Sequence, residues 1–212
     1  FFPIKKVRIS CILFSLPSIT GSNLISFPIK FHKVFHRLFG IICMARKRQI
    51  LVIGNNDDGC TPEVEKIAYD VGSKIAKSNS VLITGGLGGV MRAASRGAHD
   101  TGGLTVGIIP QNDFSLANEF CDIVIPTGMG LMRDFLNALS ADGVIVIGGG
   151  SGTLSEICAA YMYKKPIIAL KNSGGTASKY ADQFLDHRKN VQIIGVETAD
   201  EAIKCVLEQI NT

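Results

Sequence analysis

The first 43 residues of this chain contain no aspartate and no glutamate. That absence decides the sign of the net charge. The chain carries 22 basic and 18 acidic residues, a formal +4, but six of the basic ones (Lys5, Lys6, Arg8, Lys30, Lys33 and Arg37) lie in that segment. The remainder holds 16 basic against all 18 acidic residues, a net of −2. Nothing in a slightly acidic body suggests a nucleic-acid surface, and no nucleic-acid partner is expected. Long apolar runs are also missing from the segment. Residues 9–16 are too short to span a bilayer, and no membrane partner is expected. There is no CxxC pair and no Cys/His spacing of the zinc type, so no metal is expected. The six cysteines (Cys11, Cys43, Cys60, Cys121, Cys158, Cys205) are scattered. A disulfide framework is therefore disfavoured, and a reducing compartment, the cytoplasm, is the expectation. Cys158 and Cys205 fall in amphipathic helical patterns, where free cysteine behaves as a small hydrophobe. Cys60 falls in a pocket-facing loop, where a lowered pKa would make it a reactive thiol.

With 46% hydrophobic and 19% charged residues, the chain has the composition of a globular protein rather than a disordered one. The segment 1–43 is set apart from it by its basic, proline-interrupted composition, and is expected to be a non-core extension. Three readings stand: translated sequence upstream of Met44, a transit or secretory presequence, or a folded extension. A presequence would make the location organellar. Residues 44–212 contain no linker and no repeat of 20–50 residues, and are expected to form one domain.

From Gln49 onward, short apolar runs alternate with helical periodicity. Strands are expected at 49–53, 81–84, 104–109, 122–125, 143–147, 166–170 and 191–196. Helices are expected at 62–78, 90–101, 131–141 and 154–163, from 177 to about 185, and from 199 to 209. Thr61 followed by Pro62 is a strong start signal for the first, which turns Val64, Ile67, Ala68, Val71 and Ile75 to one face. Thr198 caps the last. Strands that alternate with helices imply right-handed crossovers over a parallel sheet covered on both sides. The expected fold is α/β: a three-layer, Rossmann-like, doubly wound sheet, mainly parallel, of about seven strands.

Ligands of such sheets bind at the carboxyl ends of the strands. Glycines gather at those ends: Gly54, Gly85-Gly86 with Gly89, Gly148 to Gly152, and Gly174-Gly175. Val144-Ile-Val-Ile-Gly-Gly-Gly-Ser-Gly-Thr153 reads as a buried strand, a tight turn and a helix start. Its amides at Gly149, Gly150, Ser151, Gly152 and Thr153 are expected to hold a phosphate, helped by the helix dipole. A nicotinamide dinucleotide is disfavoured, because Gly54-Asn-Asn-Asp-Asp-Gly59 is not GxGxxG and strand two ends in Thr84 rather than an acidic residue. No Walker A pattern is present. Thr153-Leu-Ser-Glu156 fits a capping box, which would account for both end residues. Alternatively Glu156 faces the anion pocket as acid, base or ribose partner. Arg133 is the candidate cation beside it, unless it is solvated or paired with Asp134. His99 and His187 have no triad context and read as surface groups.

Gly149-Gly-Ser-Gly-Thr-Leu-Ser-Glu156 resembles the PGGxGTxxE motif of the lysine decarboxylase-like proteins, the SLOG superfamily, which includes the LOG cytokinin-activating enzymes. Gly85-Gly-Leu-Gly-Gly-Val-Met91 is similar to their second glycine motif, and Val106-Gly-Ile-Ile-Pro110 to their GxIP strand end. The resemblance spans about residues 49–209. It implies a nucleoside 5′-monophosphate ligand whose N-glycosidic bond is cleaved by an Arg and the motif Glu, roles that would fall on Arg133 and Glu156. It also implies a homo-oligomer, dimer or tetramer, with Phe135, Leu139 and Tyr161 as candidate contacts. Two departures stand out. Gly148 replaces the leading Pro, and Met132-Arg133-Asp134 replaces Glu-Arg-Lys. Both, with Gly174-Gly-Thr176, resemble the branch of molybdenum cofactor carrier proteins, which bind a phosphorylated pterin without turning it over.

Two functions are therefore expected as alternatives. The first is a carrier for a phosphorylated cofactor or nucleotide, molybdopterin among them, held by amides at residues 85–89 and 149–153 with Arg133 as counter-charge. The second is a phosphoribohydrolase with Arg133 and Glu156 catalytic. Lysine decarboxylation is rejected, since no Lys in these motifs is available for a Schiff base.

Overall fold

The computed structural model describes residues 46–211, so the expectations for 1–43 concern residues outside that range. Seven strands form one sheet: β1 (Gln49–Gly54), β2 (Val81–Thr84), β3 (Thr105–Ile109), β4 (Ile123–Pro126), β5 (Gly143–Ile147), β6 (Ile167–Leu170) and β7 (Ile193–Val196). Their spatial order is β4-β3-β2-β1-β5-β6-β7, and every pairing is parallel. The chain winds outward from β1 to β4, then returns to the other side of β1 and winds outward again from β5. The direction of winding thus reverses between β1 and β5, whose register runs from Ile50 opposite Gly143 to Gly54 opposite Ile147. A crevice opens beyond the carboxyl ends of two strands related in this way.

Strand residues alternate between two apolar layers, as the period of two requires. Ile50 and Val52 of β1, with Ile145 and Ile147 of β5, face α1 (Pro62–Lys77), α2 (Gly89–Asp100) and α6 (Ala199–Ile210). Leu51 and Ile53, with Val144 and Val146, face the layer of α3 (Arg133–Ser140), α4 (Ser151–Met162) and α5 (Gly175–Tyr180). Burying each such side chain contributes about 1.5–3 kcal/mol. The result is the doubly wound three-layer architecture that the sequence implies.

Helix boundaries depart from expectation in two places. The helix after β5 begins at Ser151 with Gly150 preceding it, so Thr153 lies inside the first turn and caps nothing. The expected capping box at Thr153 and Glu156 does not form. The same Thr-x-x-Glu pattern does form one at Thr198 and Glu201, where Glu201 Oε2 accepts from Thr198 N–H at 3.1 Å and Thr198 Oγ1 accepts from Glu201 N–H at 3.2 Å. The helix expected to reach about residue 185 ends at Tyr180. Beyond it Asp182 takes a left-handed conformation (φ 62°), its carboxylate accepts from Gly195 N–H at 2.8 Å, and Phe184 pairs with Gln192 in an isolated antiparallel bridge. These contacts also delay β7 to Ile193. Cys205 packs half-buried against the first layer, but Cys158 is exposed rather than turned inward. His99 and His187 are exposed.

Candidate functional site

The turn after β5 is held from three sides. Gly148 and Gly149 have φ of 60° and 97°, left-handed values that favour glycine. Gly148 N–H donates to Ser173 Oγ at 2.7 Å, and Gly149 N–H donates to Asn55 Oδ1 at 2.6 Å. The Gly149 carbonyl accepts from Thr176 N–H and Oγ1, both at 2.9 Å. Thr153 Oγ1 donates to the Gly54 carbonyl at 3.2 Å, which joins α4 to the end of β1. Gly54 is a packing requirement: a Cβ there would lie 2.2 Å from the Ile147 carbonyl oxygen. Gly150 and Gly152 differ, since a Cβ on either would meet nothing within 4 Å. Those two glycines border open space at the start of α4, where the N–H groups of a helix's first turn have no partner within the helix.

The second glycine loop is occupied by the chain's own groups. Gly86 N–H donates to Thr84 Oγ1 at 3.1 Å, and Gly89 N–H, at the start of α2, donates to Asp57 Oδ1 at 2.7 Å. Gly85 makes room for a side chain, because a Cβ there would lie 2.7 Å from both Arg133 Nη1 and Met91 Sδ. Of the amides expected to hold an anion, those of Gly86, Gly89 and Gly149 therefore serve internal acceptors, while Gly150, Ser151, Gly152 and Thr153 open α4.

Beside them lies a buried polar cluster built from α3 and α4. Arg133, Asp134 and Glu156 are 8%, 6% and 7% exposed, and Asn137 is fully enclosed. Arg133 Nη1 donates to Glu156 Oε1 at 3.3 Å and lies 3.2 Å from Asp134 Oδ1. The guanidinium is thus shared by two carboxylates, where the sequence left solvation or a pair with Asp134 open. Asn137 Nδ2 donates to the same Glu156 oxygen at 2.9 Å. Ser155 Oγ lies 2.6 Å from both Asp134 Oδ2 and the Gly152 carbonyl. Arg133 Nε and Asn137 Oδ1 are buried without a partner among the described residues. Burial pushes the Glu156 carboxyl up to about 7; the Asn137 bond and the Arg133 charge oppose this, and Asp134 adds to it. A carboxyl poised there can give or take a proton near neutrality.

These groups line a cavity of about 330 Å³ at the mouth of the β1–β5 crevice, bordered by Asn55, Leu131, Arg133, Gly150, Thr153 and Glu156. Cys60 is elsewhere, facing Arg92 and Arg96, and burial followed by Glu65 and Asp57 pushes its thiol up. Burial and the two carboxylates act against the lowered pKa that a reactive thiol there would need. Tyr161 is 2% exposed and packs in the second apolar layer, so it is no surface contact, whereas Phe135 and Leu139 are 44% and 51% exposed.

Asn55, Ser173 and Asn137 were not foreseen. Asn137 stands four residues after Arg133, on the same helix face, a periodicity that could have revealed it. Asn55 and Ser173 reach Gly149 and Gly148 across 94 and 25 residues of chain, and no local pattern announces such bonds.

The model of the SLOG cluster4 family matches residues 47–203. A cytokinin riboside 5′-monophosphate phosphoribohydrolase from Mycobacterium marinum is 30% identical over 160 residues, 68% of this chain and 85% of that protein. Among solved structures, the molybdenum cofactor binding protein of Rippkaea orientalis is 36% identical with a TM-score of 0.70, covering 79% of this chain and 99% of that one. The molybdenum cofactor carrier protein of Chlamydomonas reinhardtii is 31% identical with a TM-score of 0.70, covering 79% and 100%.

Proposed function

This chain belongs to the SLOG cluster4 family, and from that premise we propose that it is a carrier for a phosphorylated small molecule, a cofactor such as the molybdenum cofactor or a nucleotide. The phosphate would sit at residues 150–153, with Arg133 as the nearby cation. One observation carries this reading: Gly150 and Gly152 border open space at the start of α4, in the same cavity as a buried guanidinium. Amides and a cation suit a phosphate, and about 330 Å³ lies at the lower end of ligand pockets. The solved structures from Rippkaea orientalis and Chlamydomonas reinhardtii support the cofactor class. The test is to express the protein where molybdenum cofactor is made, purify it, and measure bound pterin and molybdenum. Stoichiometric retention, lost in Arg133→Ala, is the expected result. Absence of both pterin and nucleotide from the pure protein, together with no binding of added AMP, would overturn the reading.

A second reading is favoured by Glu156. A carboxyl raised to about 7 beside an arginine is suited to protonate a departing base in a phosphoribohydrolase, and the relative from Mycobacterium marinum supports it. Incubation with AMP and assay for free base and ribose 5-phosphate separates the two. Turnover abolished in Glu156→Ala would establish the enzyme.

The apolar surface of residues 131–139, at and just before the start of α3, supports a homo-oligomer. Leu131, Met132, Phe135 and Leu139 are 84%, 62%, 44% and 51% exposed on one short stretch, an apolar surface suited to a second copy of the chain. A reducing compartment such as the cytoplasm accords with the four cysteines of the described residues, all of them free.

A further inference from the structure

The walls of the cavity are short of positive charge. Its lining holds one cation, Arg133, against three carboxylates: Asp134 from α3, Glu156 from α4 and Asp58 from the loop after β1. Among the described residues no lysine and no histidine borders it, and α2 contributes only Met91. Arg133 Nη1 is divided between Asp134 Oδ1 at 3.2 Å and Glu156 Oε1 at 3.3 Å. With both carboxylates ionised, this buried trio carries a net negative charge before any ligand arrives.

Glu156 stands four residues beyond Gly152 on the same helix, which puts it on the same face about one turn, roughly 6 Å, deeper. An anion on the first-turn amides and an ionised Glu156 would therefore repel across a short, water-poor gap. Relief is available within the cluster. Asp134 lies 3.2 Å from Arg133 Nη1 through Oδ1 and 2.6 Å from Ser155 Oγ through Oδ2. Glu156 takes both of its side-chain hydrogen bonds on Oε1, from Arg133 Nη1 and Asn137 Nδ2, and the Asn137 amide beside it keeps a buried oxygen that lacks a hydrogen. Turning that amide over would set Oδ1 against Glu156, an arrangement that only the protonated carboxyl satisfies.

We propose that an anion enters this cavity together with a proton taken from solvent by Glu156, so that anion binding is tight in mildly acidic solution and weakens as pH rises through neutrality. This rests on the reading that an anion is held at the start of α4. Burial already holds the Glu156 carboxyl up to about 7 in the free protein. A neighbouring negative charge raises it further, so the bound state holds more protons than the free one. Affinity is level at pH values where Glu156 is protonated in both states, and falls where only the bound state keeps the proton.

Sulfate is the probe, because its charge is constant where phosphate itself titrates. Titration calorimetry on the wild-type protein is expected to show sulfate binding about tenfold weaker at pH ~8 than at pH ~6. Near pH ~7.5, the heat should vary with the ionisation enthalpy of the buffer, reporting uptake of about three quarters of a proton. Glu156→Gln, neutral at every pH, should bind equally well at both pH values and take up none. Equal wild-type affinity at the two pH values without proton uptake overturns the proposal. So does a Glu156→Gln protein that keeps the wild-type pH profile, since the proton then belongs to another group. Should that variant fail to fold, the wild-type proton count decides alone. If sulfate binds at neither pH to either protein, the anion site itself is refuted.

Discussion

Asn55 Oδ1 accepts the Gly149 N–H at 2.6 Å, so a side chain from the end of β1 fixes the glycine turn at the end of β5. The two strands are neighbours at the point where the sheet reverses its winding, and this bond spans the floor of the crevice between them. Replacing Asn55 with Ala leaves a largely enclosed N–H without an acceptor, at a cost of about 1–3 kcal/mol. Denaturant titration should show that loss. Ligand affinity should fall as well, because the turn that presents residues 150–153 is no longer braced.

Two glycines of the same motif region should respond in opposite ways. Gly152→Ala adds a methyl group where nothing stands within 4 Å, inside a helix. It should stabilise the fold by about 0.5–1 kcal/mol while obstructing the anion. Gly54→Ala would drive a Cβ to 2.2 Å from the Ile147 carbonyl and 2.8 Å from Val90 Cγ1. Overpacking of this kind costs about 1–3 kcal/mol. Thermal melts with and without ligand distinguish the two, and a Gly152→Ala protein that bound ligand normally would move the anion elsewhere.

Glu156 makes stability depend on pH in an unusual direction. Its carboxyl is raised to about 7 in the folded chain, against about 4.3 when unfolded. Between those values the folded state holds the additional proton, so stability is full below the unfolded value and declines as pH rises to about 7, then levels off. The loss is on the order of 3 kcal/mol. Exposed acids such as Glu119, held down to about 2 by Arg92, act at lower pH and with the opposite sign. Comparing wild type with Glu156→Gln removes their contribution. The difference in unfolding free energy between the two should widen from pH ~4.5 to ~7 and then stay constant.

Phe135→Glu places a charge on the exposed apolar face of α3, where Phe135 is 44% exposed. Light scattering should report a smaller assembly than the wild type, with the monomer's circular dichroism unchanged. An unaltered mass would show that copies of the chain meet on a different face.

Much of this molecule was legible in its sequence because the signals were local. Each strand is a short apolar run, and each crevice-facing turn is marked by glycine. Thr61-Pro62 begins α1 as its residue types demand, with Thr61 Oγ1 accepting from Val64 N–H. The failures arise where distant contacts decide. Thr153-Leu-Ser-Glu156 and Thr198-Ala-Asp-Glu201 carry the same end residues, yet only the second is a capping box. At Thr198 the helix starts at the surface, and Glu201 is free to reach back. At Thr153 the helix has already begun, and Glu156 is drawn inward to Arg133 and Asn137 from another helix. Residues 181–185 look helical in isolation, but Asp182 is claimed by Gly195 from β7. The glycines of residues 85–89 drew attention as anion binders, while the structure uses Gly85 to seat a guanidinium and Gly89 to answer Asp57.

That last contact makes the carboxyl edge of the sheet unequal on its two sides. The helices α2 and α4 both begin at this edge, and the start of α2 is already satisfied by a carboxylate from the chain itself. On the carrier reading proposed above, a guest with one charged end and one neutral end would set its charge at the start of α4. Whatever it carries at the far end would be presented on the same side in every molecule, ready for whoever collects it.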